Sequence, residues 1–102
     1  LYTANQKKAF TIFQEGRKSE VQALEYHTGG GAVNSAISFA RLGFQTASFF
    51  KIGNDEEGAF IVQQLEKESI NTSPVIKSST HRTGTSFIIP SRSHNRTILV
   101  YR

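Results

Sequence analysis

Three consecutive glycines and an asparagine form the segment of this sequence best suited to binding a ligand. Gly29, Gly30 and Gly31 precede an apolar pattern typical of a helix, and Asn34 falls in the first turn of that helix. Glycines let the backbone approach a ligand closely, and a helix start offers unpaired N–H groups to anions or hydroxyl groups. The Asn34 amide both donates and accepts hydrogen bonds, which suits a polyol. The alternative is a tight turn in which Asn34 caps its own helix.

This glycine segment departs from two well-known nucleotide-binding motifs. A Walker loop ends in Gly-Lys-Ser or Gly-Lys-Thr, which the sequence lacks, and Asn34 stands where a dinucleotide fingerprint needs Gly or Ala. Asp55 is interpreted as a helix cap and His27 as a histidine at the end of a strand. His81 and His94 have no partners at metal-binding spacing. The sequence therefore predicts no catalytic, cofactor-binding or metal-binding residue.

Hydrophobic patterning predicts the elements that position the glycine segment. Apolar residues within 32–42 recur at intervals of three and four, which predicts a helix that Gly43 ends. The apolar run 46–52 predicts a strand buried on both faces. A start at Asn54 resembling a capping box, with Glu57 three residues later, predicts a second helix that ends near Ser69.

Two hairpins and a short strand complete the predicted order. Apolar runs on either side of a polar turn predict the hairpins at residues 9–14 with 21–26 and at 86–89 with 97–101, and the short strand covers 75–77. The order is then hairpin, helix, strand, helix, strand, hairpin. Its middle is a β/α layer unit in which parallel strands are expected, and the outer hairpins need not join that sheet.

Composition bounds the class of protein. With 102 residues the chain has room for one domain at most, and without cysteine it has no disulfide, thiolate nucleophile or cysteine-bound metal. The sequence contains no methionine and begins with Leu1, so we expect it to be trimmed, processed or cut from something larger. No apolar run approaches the ~20 residues that span a bilayer, and no leader is recognisable. We therefore expect a cytoplasmic chain without a membrane partner.

Basic charge is concentrated in the last third of the sequence. The chain has 12 basic and 8 acidic residues, and every acidic residue lies at or before Glu68. The stretch that follows fits either a surface for phosphate, a sugar acid or nucleic acid, or a solvated basic hairpin. Only Phe87 and Tyr101 are aromatic in that stretch, which disfavours stacking on single-stranded nucleic acid.

A spaced set of small and polar residues resembles the first signature of the ribokinase-like (PfkB) carbohydrate kinases: Gly29-Gly30-x-Ala32-x-Asn34-x-Ala36, then Gly43 and Gly53. The family's G-x-D-x-x-G is matched by Gly53-Asn54-Asp55-Glu56-Glu57-Gly58. Two further matches fall where the family has them: Arg41-Leu42-Gly43, and Thr83-Gly84 ahead of the 87–89 strand. The resemblance covers residues 9–102, and the motifs match strictly over residues 29–58.

The resemblance implies an α/β fold, as a fragment of a ribokinase-like three-layer sandwich with β/α units and β-hairpins that form a small lid sheet over a sugar. Residues 1–102 would be a partial domain, with a body segment at 28–83 and lid strands at 9–27 and 84–102. The family's sugar-hydroxyl contacts fall on Gly29, Gly30, Gly31 and Asn34, and its sugar-facing lid positions on Ser86 and Val100. Ribokinases often carry Lys at the position of Gly31, so one polar contact is lost.

The activity that the resemblance implies is ATP-dependent transfer of a phosphoryl group to a sugar hydroxyl, with Mg²⁺ present. Family members are much longer, and their general base and anion hole would lie beyond Arg102. We therefore expect the parent protein to be a carbohydrate kinase that uses ATP and Mg²⁺. The 102-residue chain alone is expected to be inactive and to hold neither group.

Two alternatives stand beside the sugar-kinase piece, which would bind a small sugar or sugar acid. One is a truncated, non-catalytic module derived from a kinase, which forms a homodimer or binds a partner through its lid strands. The other is a nucleic-acid binder acting through Arg92, Arg96 and Arg102, whose binding would weaken steeply with salt. The scarcity of aromatic residues argues against nucleic acid as a partner.

Overall fold

Two short sheets and two helices make up the structure, a computed structural model that describes residues 8–102. In chain order the elements are α1 (Gly31–Arg41), β1 (Lys51–Gly53), α2 (Glu56–Lys67), β2 (Ile76–Ser78), β3 (Thr85–Pro90) and β4 (Arg96–Tyr101). β1 and β2 pair in parallel, and β3 and β4 form an antiparallel hairpin. The predicted α/β class, with a parallel unit followed by a hairpin, is confirmed. Within the described residues, no helix is long and apolar enough to cross a membrane.

A small apolar core joins the two helices. Val33 and Ala36 from α1 are buried with Leu65 from α2 and Ile70 just after it. Leu65 is fully buried, which contributes about 1.5–3 kcal/mol relative to an exposed leucine. The inward face of α1 repeats at intervals of three and four, as its sequence predicted, because those positions share one side of a helix.

Gly43 ends α1, as predicted, through a left-handed backbone with φ of 95°. The Gly43 N–H donates to the carbonyl of Ala40 at 3.0 Å, and the Phe44 N–H donates to that of Phe39 at 3.2 Å. These two bonds define a Schellman motif, which satisfies carbonyls that the end of the helix leaves free. The Phe39 and Phe44 rings pack edge to face across the motif, with centroids 5.9 Å apart.

The same motif ends α2, but with serine in the left-handed position. The Ser69 N–H donates to Glu66 at 3.0 Å and the Ile70 N–H donates to Leu65 at 3.1 Å, while Ser69 has φ of 59°. This turn directs Ile70 into the core against Leu65. The packing of Ile70 thus holds Ser69 in a conformation that favours glycine.

The predicted start of α2 at Asn54 is wrong by one residue. Asp55 is the N-cap, and its carboxylate accepts a hydrogen bond from the Gly58 N–H at 2.8 Å. Gly58 rather than a glutamate therefore occupies the third helical position, so no capping box forms. Glu56 and Glu57 still lie in the first turn, where the helix dipole favours acids.

The strand predicted at 46–52 is shorter and is buried on one face. Regular pairing covers β1, while Ala47 forms an isolated parallel bridge with Asn71. Ser48 and Ile52 are buried, but Phe49 is 72% exposed. Successive strand side chains point to opposite faces, and α1 and α2 cover one of them in the described part of the chain. The expectation of burial on both faces is therefore wrong for these residues.

The hairpin predicted at 9–14 and 21–26 is confirmed in its turn and wrong in its strands. The chain turns at 15–16, where the Arg17 N–H donates to the Gln14 carbonyl at 3.4 Å, yet residues 8–30 contain no strand. A two-stranded hairpin is marginal when neither face is covered. That condition holds here, because the large apolar side chains of the segment are all exposed: Phe10, Ile12, Phe13, Val21, Leu24 and Tyr26.

The β3–β4 hairpin carries apolar side chains on both faces and buries neither. Its register places Ser86 opposite Val100 and Phe87 opposite Leu99. Ile89 is half-buried, and the other large apolar side chains are 45–63% exposed: Phe87, Ile88, Ile98, Leu99, Val100 and Tyr101. The radius of gyration is 17.9 Å, against ~13 Å for a compact chain of about 100 residues. Packing against the core therefore does not explain where this hairpin lies.

The two helix ends predict opposite responses to substitution. Ser69→Gly should raise the free energy of unfolding by about 1 kcal/mol, because it removes the cost of a left-handed serine. Gly43→Ala should lower it by a similar amount, about 1 kcal/mol, because alanine resists that conformation. Urea unfolding followed by circular dichroism measures both. An unchanged or lower stability of Ser69→Gly would contradict the account of this helix end.

Candidate functional site

The glycine segment leads into a helix start that no side chain caps. Gly30 is the N-cap of α1 with φ of 90° and ψ of 149°, and its carbonyl accepts the Asn34 N–H at 2.9 Å. The alternative in which Asn34 caps its own helix is therefore wrong. Asn34 lies one turn into the helix and is exposed. The first-turn N–H groups, which a helix cannot satisfy internally, face this end without a side-chain cap.

Buried neighbours hold the start of α1 in place. The Ser48 side chain is buried before β1, and its hydroxyl donates to the Ala32 carbonyl at 3.4 Å. Val33, one residue further on, is part of the core. The glycine segment is thus exposed at the N-terminus of a helix whose first turn is held by Ser48 and by the core.

The space beside two of these glycines is open. A Cβ added to Gly29 or Gly31 would have no atom of the described residues within 4 Å, and neither glycine has a positive φ. Gly30 differs, because its positive φ by itself favours glycine. At positions 29 and 31, then, neither the backbone conformation nor packing within the described chain requires glycine. The absence of side chains leaves room for another molecule against the backbone.

The two predicted lid positions come together in the hairpin. Ser86 and Val100 are directly opposite in the ladder, so their side chains share one face of the hairpin, and both are exposed. Among residues 8–102 no hydrogen bond joins this pair to the glycine segment. The six predicted binding residues therefore form two groups, one at the start of α1 and one on the hairpin.

A carboxylate ties the β/α unit to the residue that leads into the hairpin. Asp55 Oδ1 accepts hydrogen bonds from the Gly58 N–H at 2.8 Å and the Thr83 hydroxyl at 2.6 Å, and Oδ2 accepts the Thr83 N–H at 2.8 Å. The Thr83 Oγ1 in turn accepts the Gly53 N–H at 2.9 Å. Thr83 is only 7% exposed. We call these four residues the Asp55–Thr83 clasp.

The glycines of the clasp are required by the chain itself. A Cβ on Gly53 would lie 2.5 Å from Asp55 Oδ2 and 2.7 Å from the Thr83 nitrogen. A Cβ on Gly58 would lie 2.6 Å from the Gly53 carbonyl oxygen. No rearrangement of a flexible side chain relieves contacts with backbone atoms, so any larger residue would open the clasp. These two glycines have a structural role that Gly29 and Gly31 do not share.

Asp55 is held as a carboxylate. The hydrogen bonds from the Thr83 hydroxyl and then the Thr83 N–H lower the pKa of Asp55, with smaller contributions from the Gly58 N–H and the charge of Arg82. Partial desolvation opposes this shift without reversing it. The interpretation of Asp55 as a cap is confirmed. With both oxygens engaged by the chain, Asp55 has a structural rather than a proton-transfer role.

The histidines do not form a further site within the described residues. His27 Nε2 lies 3.1 Å from Glu25 Oε2, and His81 Nδ1 lies 2.9 Å from the Thr80 hydroxyl. In the part of the chain that the structure describes, no three His, Cys, Asp or Glu side chains are grouped to hold a metal ion.

The motifs matched in the sequence included Thr83, but the sequence did not reveal that Thr83 bonds to Asp55. Thr83 and Asp55 are 28 residues apart, and no periodic pattern links them. The signal that was available was the presence of Thr83-Gly84 and of the G-x-D-x-x-G segment in one chain.

Comparison with known proteins defines the class. The pfkB family carbohydrate kinase model matches residues 3–102, and the chain belongs to this family. A crystal structure of an uncharacterized sugar kinase from Pyrococcus horikoshii has a TM-score of 0.70 and 30% identity, covering 86% of this chain and 29% of that one. The same kinase is known in complex with ATP. The α/β arrangement is therefore part of the ribokinase-like fold, as the resemblance implied.

Two curated relatives come from Bacillus subtilis. A 2-dehydro-3-deoxygluconokinase is 41% identical over 69 residues, which are 68% of this chain and 21% of the relative. A 5-dehydro-2-deoxygluconokinase is 30% identical over 115 aligned positions, covering 99% of this chain and 35% of the relative. The chain thus spans between about a fifth and about a third of the length of these relatives.

The lowered pKa of Asp55 predicts how stability depends on pH. A carboxyl group whose pKa is lower in the folded than in the unfolded state stabilises the folded state at pH values above its unfolded pKa of about 3.9. This stabilisation is lost as the pH falls through the folded pKa. The urea midpoint of the natural chain should therefore fall more steeply than that of Asp55→Asn as the solution is acidified from about pH 5 to about pH 3.

Glu68 supplies a matched control for this measurement. Its pKa is also lowered, first by a hydrogen bond from Arg41, but Arg41 is largely exposed and such surface pairs contribute little. Glu68→Gln should therefore keep most of the pH dependence of the natural chain. A loss of that dependence in Glu68→Gln and not in Asp55→Asn would contradict the assignment to the clasp.

Proposed function

We propose that this chain is the sugar-binding part of an ATP-dependent carbohydrate kinase, which transfers a phosphoryl group from ATP to a sugar hydroxyl. The observation that carries the proposal is the start of α1, which no side chain caps, beside Gly29 and Gly31. At these two positions nothing in the described chain requires glycine, and the space beside them is open. Family membership supplies the reaction class. The alternative of a non-catalytic module has no such observation behind it.

Each group of the proposed site has a distinct task. The first-turn N–H groups and the exposed Asn34 amide would bind sugar hydroxyls, since an amide side chain serves as donor and acceptor at once. Gly29 and Gly31 would let the sugar lie against the backbone. Ser86 and Val100 would approach from the hairpin, one with a hydroxyl and the other with an apolar surface for the sugar ring.

The proposed substrate class is a small sugar or sugar acid. Two relatives act, by their names, on dehydro-deoxygluconate compounds, which are acids. The hairpin region has the charge to suit such a ligand, because Arg92, Arg96 and Arg102 lie there and no acidic residue follows Glu68. We also propose a homodimer formed through the exposed apolar side chains of the hairpin, which the sequence predicted.

The described residues do not fit the phosphoryl-transfer step itself or the binding of a metal–nucleotide complex. Phosphoryl transfer needs a base for the attacking hydroxyl, donors for the developing negative charge and a metal ion on the nucleotide. No group of side chains in residues 8–102 is arranged to hold such an ion, and both oxygens of Asp55 are engaged by the chain. The proposal therefore assigns ATP and Mg²⁺ to the parent enzyme.

Sugar binding tests the site directly. Titration of the ¹⁵N-labelled chain with D-fructose, D-ribose and 2-dehydro-3-deoxy-D-gluconate should shift the amide signals of residues 29–34 for at least one sugar. Asn34→Ala should weaken that binding about tenfold, the equivalent of one or two lost hydrogen bonds. Gly31→Ala should also weaken it without unfolding the chain, because its Cβ meets no atom of the described residues.

Gln63→Ala is the control for this titration, since Gln63 is exposed on α2 and outside the proposed site. It should bind the sugar as the natural chain does. If none of the three sugars shifts the signals of residues 29–34, or if Asn34→Ala and Gln63→Ala bind equally well, the proposed site is wrong.

The purified 102-residue chain should show no sugar-dependent ATP turnover. The physical reason is that binding a sugar without a base and a stabilised nucleotide leaves the barrier to phosphoryl transfer in place. A coupled assay for ADP with the same three sugars and Mg²⁺ measures this, with a commercial ribokinase as the positive control. Turnover above the sugar-free blank would contradict the expectation.

A further inference from the structure

The clasp has a geometric consequence for the hairpin that carries Ser86 and Val100. We propose that Asp55 and Thr83 are positioning residues, whose clasp sets the direction in which the β3–β4 hairpin leaves the β/α unit. The link from this direction to sugar binding rests on the proposed function, whereas the direction itself is a property of the chain alone.

Three elements meet at the Asp55–Thr83 clasp. Gly53 is the last residue of β1, Asp55 caps α2, and Thr83 lies two residues before β3 begins. The carboxylate receives hydrogen bonds from α2 and from Thr83, while the Thr83 hydroxyl receives one from the end of β1. The residue that leads into the hairpin is thus tied to both elements of the β/α unit.

Thr83 is held at two points, which restrains its rotation as well as its position. Its N–H and its hydroxyl donate to different oxygens of the same carboxylate, at 2.8 Å and 2.6 Å. One bond alone would leave the residue free to swing about that contact. Two bonds to a single planar group set both the backbone and the side chain of Thr83, and hydrogen bonds to a charged acceptor are the stronger kind.

Among residues 8–102, neither the core cluster nor another hydrogen bond from the β/α unit holds the hairpin strands. The core cluster contains no residue of β3 or β4, and each face of the hairpin carries exposed apolar side chains. Beyond their own ladder and turn, the hairpin strands are linked to the clasp region by the Thr85 hydroxyl, which donates to the Thr83 carbonyl at 3.3 Å. Within the described chain the direction of the hairpin therefore depends on Thr83.

Gly84 lies between the held residue and the hairpin. It has no positive φ, and a Cβ there would meet only the Tyr101 carbonyl oxygen, at an ordinary 3.7 Å. Neither strain nor crowding demands glycine at this position. A flexible residue directly after a fixed one is the arrangement expected at a pivot, so the stiffness of Thr83 limits how far the hairpin swings.

The absence of cysteine makes the proposal measurable with spin labels. Gln63→Cys on α2 and Arg92→Cys in the hairpin turn are both exposed sites for the labels. Double electron–electron resonance then gives the distribution of distances between them. Thr83→Val removes the hydroxyl from the clasp and should broaden that distribution roughly twofold, whereas Thr83→Ser keeps the hydroxyl and should leave the width unchanged.

A second pair of variants covers the case in which Thr83→Val does not fold. Thr83→Ala also loses the hydroxyl but retains the N–H bond to Asp55, and Asp55→Asn keeps the size of the side chain while removing its charge. Both variants should broaden the distribution of distances between the labels. Thr83→Val should do the same if circular dichroism shows that it is folded. Variants that are less stable but keep the natural width under folding conditions would overturn the proposal, because the clasp would then only stabilise the fold.

The outcome is separable from that of the proposed function, because the distance measurement uses no sugar. An unchanged width in the Thr83→Ala and Asp55→Asn variants overturns the positioning role even if residues 29–34 bind a sugar. A broadened width together with a failed sugar titration overturns the proposed function and supports the clasp. In a chain that binds sugar, Thr83→Ser should also restore the affinity that Thr83→Ala loses.

Discussion

The hydrogen bonds that converge on the Asp55 carboxylate are the constraint on which the arrangement of this chain depends. The carboxylate accepts from the start of α2 and from Thr83 at the entry to the hairpin, and the Thr83 hydroxyl in turn accepts from the end of β1. Because the carboxylate stays charged, the three bonds that it accepts are of the stronger, charge-assisted kind. Close approach of the backbones is possible only because Gly53 and Gly58 carry no side chain.

Two pairs of glycines in this chain differ in what surrounds them. At Gly53 and Gly58 the chain fills the space where a side chain would stand, so the fold requires glycine. At Gly29 and Gly31 that space is open and the backbone conformation is ordinary, so nothing in the described chain requires glycine there. This contrast supports a ligand at the start of α1 better than the glycine count does, since a cluster of glycines by itself also fits a turn.

Sequence patterns predicted the elements that depend on neighbouring residues and failed where distant parts of the chain decide. The end of α1 at Gly43, the parallel strands and the β3–β4 hairpin are as predicted. The strand before β1 was expected to be covered on both faces, yet Phe49 is exposed, because burial depends on which layers lie above and below. The strands expected at 9–14 and 21–26 are absent from the described segment, because alternation of residue types does not supply a partner surface.

The sequence alone determined the class of fold, the family and the residues to consider as a sugar site, because helix ends, turns and spaced glycines are encoded within short windows of the chain. Tertiary structure alone decided that Asp55 holds Thr83, 28 residues away, and that Ser69 adopts a left-handed turn to bury Ile70. The physical reason is that both depend on contacts between segments that come together only when the chain folds. The three glycines that first indicated a ligand are thus defined by sequence, while the open space beside two of them is seen only in the tertiary structure of the described residues.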